Sequence, residues 1–160
     1  MASEQPGALP RKDRPRVLLD TNALFLPFTR HFPLEREVTR LVEGAVIEVP
    51  QSVLGELDRL VLRGRGYARA ARAYAERFPV TPTDLRGDAA LETLARDLGA
   101  IILTADRELR RRLHAKGMKI LFPRGEKHLA FAQGPRPRKE RPVRRVAPPP
   151  RRSRTDPEDD

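Results

Sequence analysis

Short apolar runs alternate along this chain with segments of helical periodicity, and that alternation restricts the fold more than any other feature. RVLL at 16–19, VIEV at 46–49, AIIL at 100–103 and KILF at 119–122 are nearly continuous apolar stretches, joined by a weaker extended piece, PVTPT, at 79–83. Continuous runs of this length suit strands covered on both faces. Between them, Leu34, Val38, Leu41 and Val42 share one face of a helix over 34–44, which Gly44 stops. Val53, Leu54, Leu57, Leu60 and Val61 repeat the spacing over 51–63, and Tyr67, Ala71, Tyr74 and Phe78 line up in the alanine-rich 66–78. Asp88 opens a further helix that carries Leu91, Leu94, Ala95 and Leu98 and is closed by Gly99, and 106–117 reads as a basic helix. Parallel strands need crossover connections, and those are usually helical. The pattern therefore predicts an α/β fold with three layers, α/β/α, around a central parallel sheet.

With 160 residues there is room for one such domain and a tail. Residues 1–13 are polar and carry Pro6, Gly7 and Pro10, the profile of a flexible terminus, so the folded unit is expected over 14–131. From Gly134 to Thr155, nine basic residues and six prolines leave only Val143, Val146 and Ala147 as aliphatic side chains, too few for a core. Asp156 to Asp160 then reverse the sign with four acids. Residues 132–160 read as a disordered arginine- and proline-rich arm with an acidic end.

Composition removes several chemistries. There is no cysteine, which excludes disulfides, thiolate zinc sites and cysteine nucleophiles, and three histidines argue against a histidine-rich metal site. Neither a GxGxxG turn nor a GxxxxGK[ST] loop occurs, so the phosphate cradle of a nucleotide-binding domain is missing. No apolar stretch approaches the roughly 20 residues of a membrane helix, and the N-terminus has no apolar signal core. The expectation is a soluble, cytoplasmic protein without a membrane partner. A net charge of +10 favours a polyanionic partner, and only five of the 32 basic residues are lysines. The arginine majority offers planar forks suited to phosphate.

Function in an open parallel sheet gathers at the carboxyl ends of its strands. Asp20 directly follows RVLL, and Asp106 follows AIIL by Thr104 and Ala105. Glu56 lies in the first turns of the helix after the second run, and Asp88 begins the helix before AIIL, so four acids can face one crevice. Each has a structural reading as well: Asp88 or Asp106 as a helix cap, Glu56 as a surface carboxylate beside Arg59. Asp20 is harder to explain that way, because an acid at the end of a buried apolar strand needs its charge compensated. Magnesium or manganese would do so, since both prefer hard oxygen ligands.

Taken together, LLDTN at 18–22, PQSVLGELDRL at 50–60, GDAALETLARDLGAIILTADREL at 87–109 and KILF resemble the PIN-domain nucleases, over residues 16 to about 131. The order and spacing match jointly, including the 18 positions from Asp88 to Asp106. TADRELRRRL followed by PRGEKHLAF is most similar to an archaeal branch that shares features with ribosomal-RNA-processing nucleases, and VapC-type toxins are a second similar branch. The resemblance implies a strand order 3-2-1-4-5 and gives catalytic and metal-holding roles to Asp20, Glu56, Asp88 and Asp106. Asn22 and Thr104 match polar residues that support the pocket. The implied activity is that of an endoribonuclease, with in-line attack on RNA by a water that Mg2+ or Mn2+ activates. Two departures stand out: Ala105 occupies a position where the family often has asparagine, and Asp88 stands alone where relatives sometimes carry two adjacent acids.

Downstream of Asp106, Arg107, Arg110, Arg111 and Arg112 precede Lys116, Lys119, Arg124 and Lys127. Of these, Arg107, Arg110, Arg111 and Lys127 are the expected RNA contacts; His128 has no assigned task. RNA is the expected partner, with ribosomal particles, an antitoxin protein and a homodimer left open. Two rivals remain: a PIN-like RNA-binding scaffold without catalysis, for which Ala105 speaks, and a haloacid-dehalogenase-like phosphatase, which usually wants a second acid where Asn22 stands.

Overall fold

A computed structural model describes residues 13–133. The proline- and arginine-rich segment from 134 onward and the first twelve residues lie outside the described part. In chain order the elements are β1 (Arg16–Leu19), a 3-10 turn (Thr21–Phe25), α1 (Leu26–Thr29), α2 (Leu34–Leu41), β2 (Val46–Pro50), α3 (Gln51–Leu62), α4 (Ala68–Ala75), β3 (Val80–Thr81), α5 (Gly87–Leu98), β4 (Ile101–Leu103), α6 (Arg107–Ala115), β5 (Ile120–Arg124) and β6 (His128–Phe131).

The strands form one sheet in the order β3-β2-β1-β4-β5-β6. The first five are parallel, in the expected 3-2-1-4-5 order. Successive side chains of a strand point to opposite faces, and β1 divides its apolar residues accordingly. Val17 and Leu19 pack with Val38, Val49, Leu57 and Ala71 on the face covered by α1 to α4. Leu18 packs with Leu91, Ala95, Ile102, Leu109 and Leu113 on the face covered by α5 and α6. Each fully buried leucine contributes roughly 1.5–3 kcal/mol, so the continuous apolar runs are what hold the two helical layers onto the sheet. Among the described residues no helix is long and apolar enough to cross a membrane.

The structure departs from the sequence reading at several points. A sixth strand, β6, pairs antiparallel with β5 through the tight turn at Gly125 (φ 72°). Helix α2 ends at Leu41, and Gly44 (φ 72°) turns the chain into β2 instead of stopping the helix itself. Asp88 does not open α5: Arg86 is the capping residue and Asp88 sits in the first turn. The stretch TNALF after Asp20 is a 3-10 turn.

β6 is clamped to α2 by one buried acid. Glu37, 3% exposed, accepts from the Leu129 backbone N–H at 2.9 Å and from Arg40 Nε at 2.8 Å, and its Oε1 lies 3.1 Å from His128 Nδ1. Arg40 Nη2 also donates to the Leu129 carbonyl at 3.3 Å. These partners, with Arg40 foremost, hold the Glu37 carboxyl down at about 2. A second buried acid, Glu48 of β2, receives Arg16 Nε at 2.7 Å and the Thr81 hydroxyl at 3.3 Å.

Candidate active site

β1 and β4 end side by side. The Asp20 N–H donates to the Leu103 carbonyl at 2.9 Å, so the first residue beyond β1 is still held at the sheet edge. Its side chain is buried, 8% exposed. Asp20 Oδ1 accepts from the Thr21 N–H at 2.8 Å, and Oδ2 accepts from the Thr104 hydroxyl at 2.7 Å. Among the described residues no lysine, arginine or histidine pairs with it. Burial pushes the Asp20 carboxyl above its ordinary value, and the charges of Glu56 and Asp88 add to this, against the two hydrogen bonds.

Thr104 links two of the expected acids. Its hydroxyl donates to Asp20 and accepts from the Asp106 N–H at 3.1 Å. Asp106 Oδ1 caps α6, accepting from the Glu108 and Leu109 N–H groups at 2.9 and 3.1 Å. Asn22 Oδ1 accepts the Ala105 N–H at 2.8 Å, closing the loop between β4 and α6 over the end of β1. That bond uses only the backbone of residue 105, so the loop is held without an asparagine there.

Glu56 is brought in by a residue the sequence reading passed over. The Thr21 hydroxyl donates to Glu56 Oε2 at 2.6 Å, which ties α3 to the residue next to Asp20. The only sign of it in the sequence is a hydroxyl inside LLDTN. Asp88 lies within electrostatic reach of Asp20, and its Oδ2 accepts from Arg112 Nη2 at 2.7 Å. Arg112, on the same helix as the expected RNA contacts, is thus engaged by Asp88. Glu56 and Asp88 thus act on Asp20 and Asp106 adjoins it through Thr104, yet among the described residues no three His, Asp or Glu side chains are grouped closely enough to hold a metal ion.

Beside the acids opens a basic cleft of about 960 Å3, lined by Arg30, Ala105, Arg107, Arg110, Phe122, Pro123, Arg124, Gly125, Glu126 and Lys127. Three of the four expected RNA contacts, Arg107, Arg110 and Lys127, line it; Arg111 does not.

A family model described as a PIN-like domain matches residues 17–126, a span that holds all four acids. The chain belongs to the PIN-domain nuclease family. It is 31% identical over 117 residues to Ribonuclease VapC9 of Archaeoglobus fulgidus, covering 71% of this chain and 86% of that protein. The fold is similar to the PIN domain endonuclease Utp24, with a TM-score of 0.58 at 22% identity over 72% of this chain and 90% of that one. It is also similar to a domain of a functionally unknown protein from Methanocaldococcus jannaschii, with a TM-score of 0.50 at 22% identity over 75% and 99% of the two chains. In this PIN domain the four acids all lie at the carboxyl ends of the parallel strands or on the first turns of the helices that leave them.

Proposed function

We propose that this chain is an endoribonuclease that hydrolyses RNA phosphodiesters with Mg2+ or Mn2+, and that Asp20 is the centre of its site. One observation carries the reading: Asp20 is a buried carboxylate with no basic partner among the described residues, made harder to ionise by burial and by two neighbouring acids. A fold gains no stability from that arrangement. It suits a hard divalent cation, because the donors nearby are all oxygens and their mutual repulsion is relieved by a positive ion.

Asp20, Glu56, Asp88 and Asp106 are the acids that would hold the ion; they are spaced too widely for that here, so binding would have to draw them together, with Arg112 competing for Asp88. When bound, the ion supplies a Lewis acid that acidifies water and takes up phosphate charge. The chain's own residues prepare the site. Thr104 fixes one oxygen of Asp20 and the start of the Asp106 loop. Thr21 aims Glu56. Asn22 holds the β4–α6 loop against the end of β1, and it stands where a haloacid-dehalogenase-like phosphatase usually wants its second acid.

The likeness to Ribonuclease VapC9 supports a VapC-type ribonuclease, with an antitoxin as protein partner, over a ribosomal-RNA-processing enzyme, for which the resemblance to Utp24 supplies the fold alone. Purified full-length protein is expected to cleave single-stranded or structured RNA with Mn2+ or Mg2+ and to stop on chelation. Manganese at a hundred times its Kd should stabilise the fold by about 2.7 kcal/mol. A panel of varied RNAs left intact with either ion, together with no metal-dependent thermal shift, would remove this reading.

A further inference from the structure

The basic cleft is charged well beyond what its own walls balance. Arg30, Arg107, Arg110, Arg124 and Lys127 line it, and Glu126 is its single acid. Among the described residues, none of the five basic side chains forms an ion pair. Elsewhere on the same helix the pattern differs: Arg112 is paired with Asp88, and Lys116 just beyond the helix with Glu92. Five cations without an ion pair among the described residues thus meet at the cleft, whereas Arg111 on the same helix is also unpaired but lies outside it.

Two contacts give this cleft a built wall. The Arg110 guanidinium lies 4.0 Å from the centroid of the Phe122 ring, on a half-buried stem. Stacking holds the guanidinium flat against β5 while leaving its N–H edge to donate, which is the geometry for a forked contact to phosphate. Burial, and then the charges of Arg107 and Arg111, lower the Arg110 pKa from its ordinary value, so an anion beside it would relieve a real electrostatic cost. Opposite, Lys127 Nζ donates to the carbonyls of Arg30 and His31 at 3.4 and 3.1 Å, fastening the β5–β6 turn to the α1–α2 connection. Lys127 acts there as a strut, leaving Arg30, Arg107, Arg110 and Arg124 as the donors.

We propose that this cleft is a phosphate seat, in which Arg110, held flat by Phe122, grips one phosphate of the RNA strand beside the scissile bond with help from Arg107 and Arg124. Ala105 lines the cleft and is bonded through its N–H to Asn22, so the seat shares a wall with the acid site. This inference rests on the ribonuclease reading for its choice of strand. Phe122 is a positioning residue: it touches Arg110, not the phosphate.

The test measures binding of a labelled single-stranded RNA to the full chain by anisotropy, in chelator so that cleavage is silent, across a salt series. Arg110→Ala is expected to weaken binding about tenfold or more and to lower the salt slope by about one. Arg124→Ala, on an exposed side chain, should act in the same direction and guards against a folding defect in the first variant. Phe122→Leu should weaken binding several-fold with the salt slope unchanged, because the charge stays and only its orientation is lost. Arg96→Ala, on an exposed side chain near the C-terminal end of α5 and outside the cleft, should change little. Paired RNAs with a 5′-phosphate or a 5′-hydroxyl separate the two sources: equal affinity assigns the seat to an internal phosphodiester, and a preference for the 5′-phosphate that Arg110→Ala abolishes assigns it to a strand end. If Arg110→Ala and Arg124→Ala bind as Arg96→Ala does, with equal salt slopes, the seat is wrong, whatever the RNA does in manganese. If binding depends on Arg110 and manganese yields no cleavage, the seat stands and the ribonuclease reading falls.

Discussion

Two carboxylates with little exposed surface, Asp20 at the end of β1 and Glu37 on α2, are oppositely treated. Glu37 has Arg40 beside it, a backbone N–H from Leu129 and the His128 ring, and its carboxyl is held down at about 2. Asp20 has two hydrogen bonds, two acidic neighbours and no paired cation among the described residues, and its carboxyl is pushed up. Burying a charge is costly unless it is paired. Where the chain supplies the partner, the acid fastens one element to another; where it withholds the partner, the acid waits for something from outside. Glu48, paired with Arg16, belongs with Glu37.

The largest expected effect comes from Asp20→Asn. Cleavage should fall by at least about a hundredfold, because several kcal/mol of charge stabilisation is lost with the ion. The metal-free melting temperature should hold or rise, since a desolvated charge and its repulsion by Glu56 and Asp88 are removed. The sign can be followed by pH. A carboxyl raised in the folded state destabilises the fold as pH rises past its ordinary value, so wild type and Asp20→Asn should agree in acid and diverge toward neutrality. A variant that is destabilised yet active, read by thermal melts beside an RNA cleavage assay, would erase the contrast with Glu37.

Glu37→Ala should do the reverse. It orphans the buried Leu129 N–H and frees β6, costing about 2–3 kcal/mol, or roughly a 10 °C fall in Tm, while cleavage per folded molecule persists. The lowered Glu37 carboxyl stabilises the fold fully above its ordinary value of 4.5, and that contribution is lost as pH falls toward about 2. Acid unfolding followed by circular dichroism should therefore lose its steepest part between those limits in the variant. An unchanged acid limb would mean that Glu37 is no clamp.

Thr21→Val sharpens the comparison at smaller amplitude. It keeps the side-chain shape and removes the hydroxyl that aims Glu56. Metal affinity should drop about tenfold, as for other groups that orient ligands, with little change in stability. Titration of manganese by thermal shift reads this directly, and an affinity equal to wild type would leave Glu56 outside the site.

The parallel core was legible because its cause is local: RVLL and AIIL are apolar on both faces, and helical spacing between runs dictates crossovers. β6 was not, because HLAF fully buries only Leu129 and owes its place to α2, some ninety residues earlier in the chain. The cap at Asp106 was readable from a single position. The partners of the other acids were not: Thr21 reaches Glu56 across 35 positions, and Arg112 reaches Asp88 across 24. Sequence spacing pointed to four candidate acids, whereas their partners depend on how α3, α5 and α6 settle against the strand ends.

The Glu37 clamp also settles how the sheet ends. A terminal strand offers unpaired N–H and C=O groups to any passing chain. At one rim, β3 is only two residues long, and Pro79 and Pro82 on either side of it have no N–H to give. At the other rim, the Leu129 N–H is taken by Glu37 and its carbonyl by Arg40. Two side chains of a helix thus stand in for a seventh strand, and the sheet is finished on both sides by unlike means. Removing Glu37 would do more than loosen a hairpin: it would reopen a template for strand addition, and self-association would compete with folding.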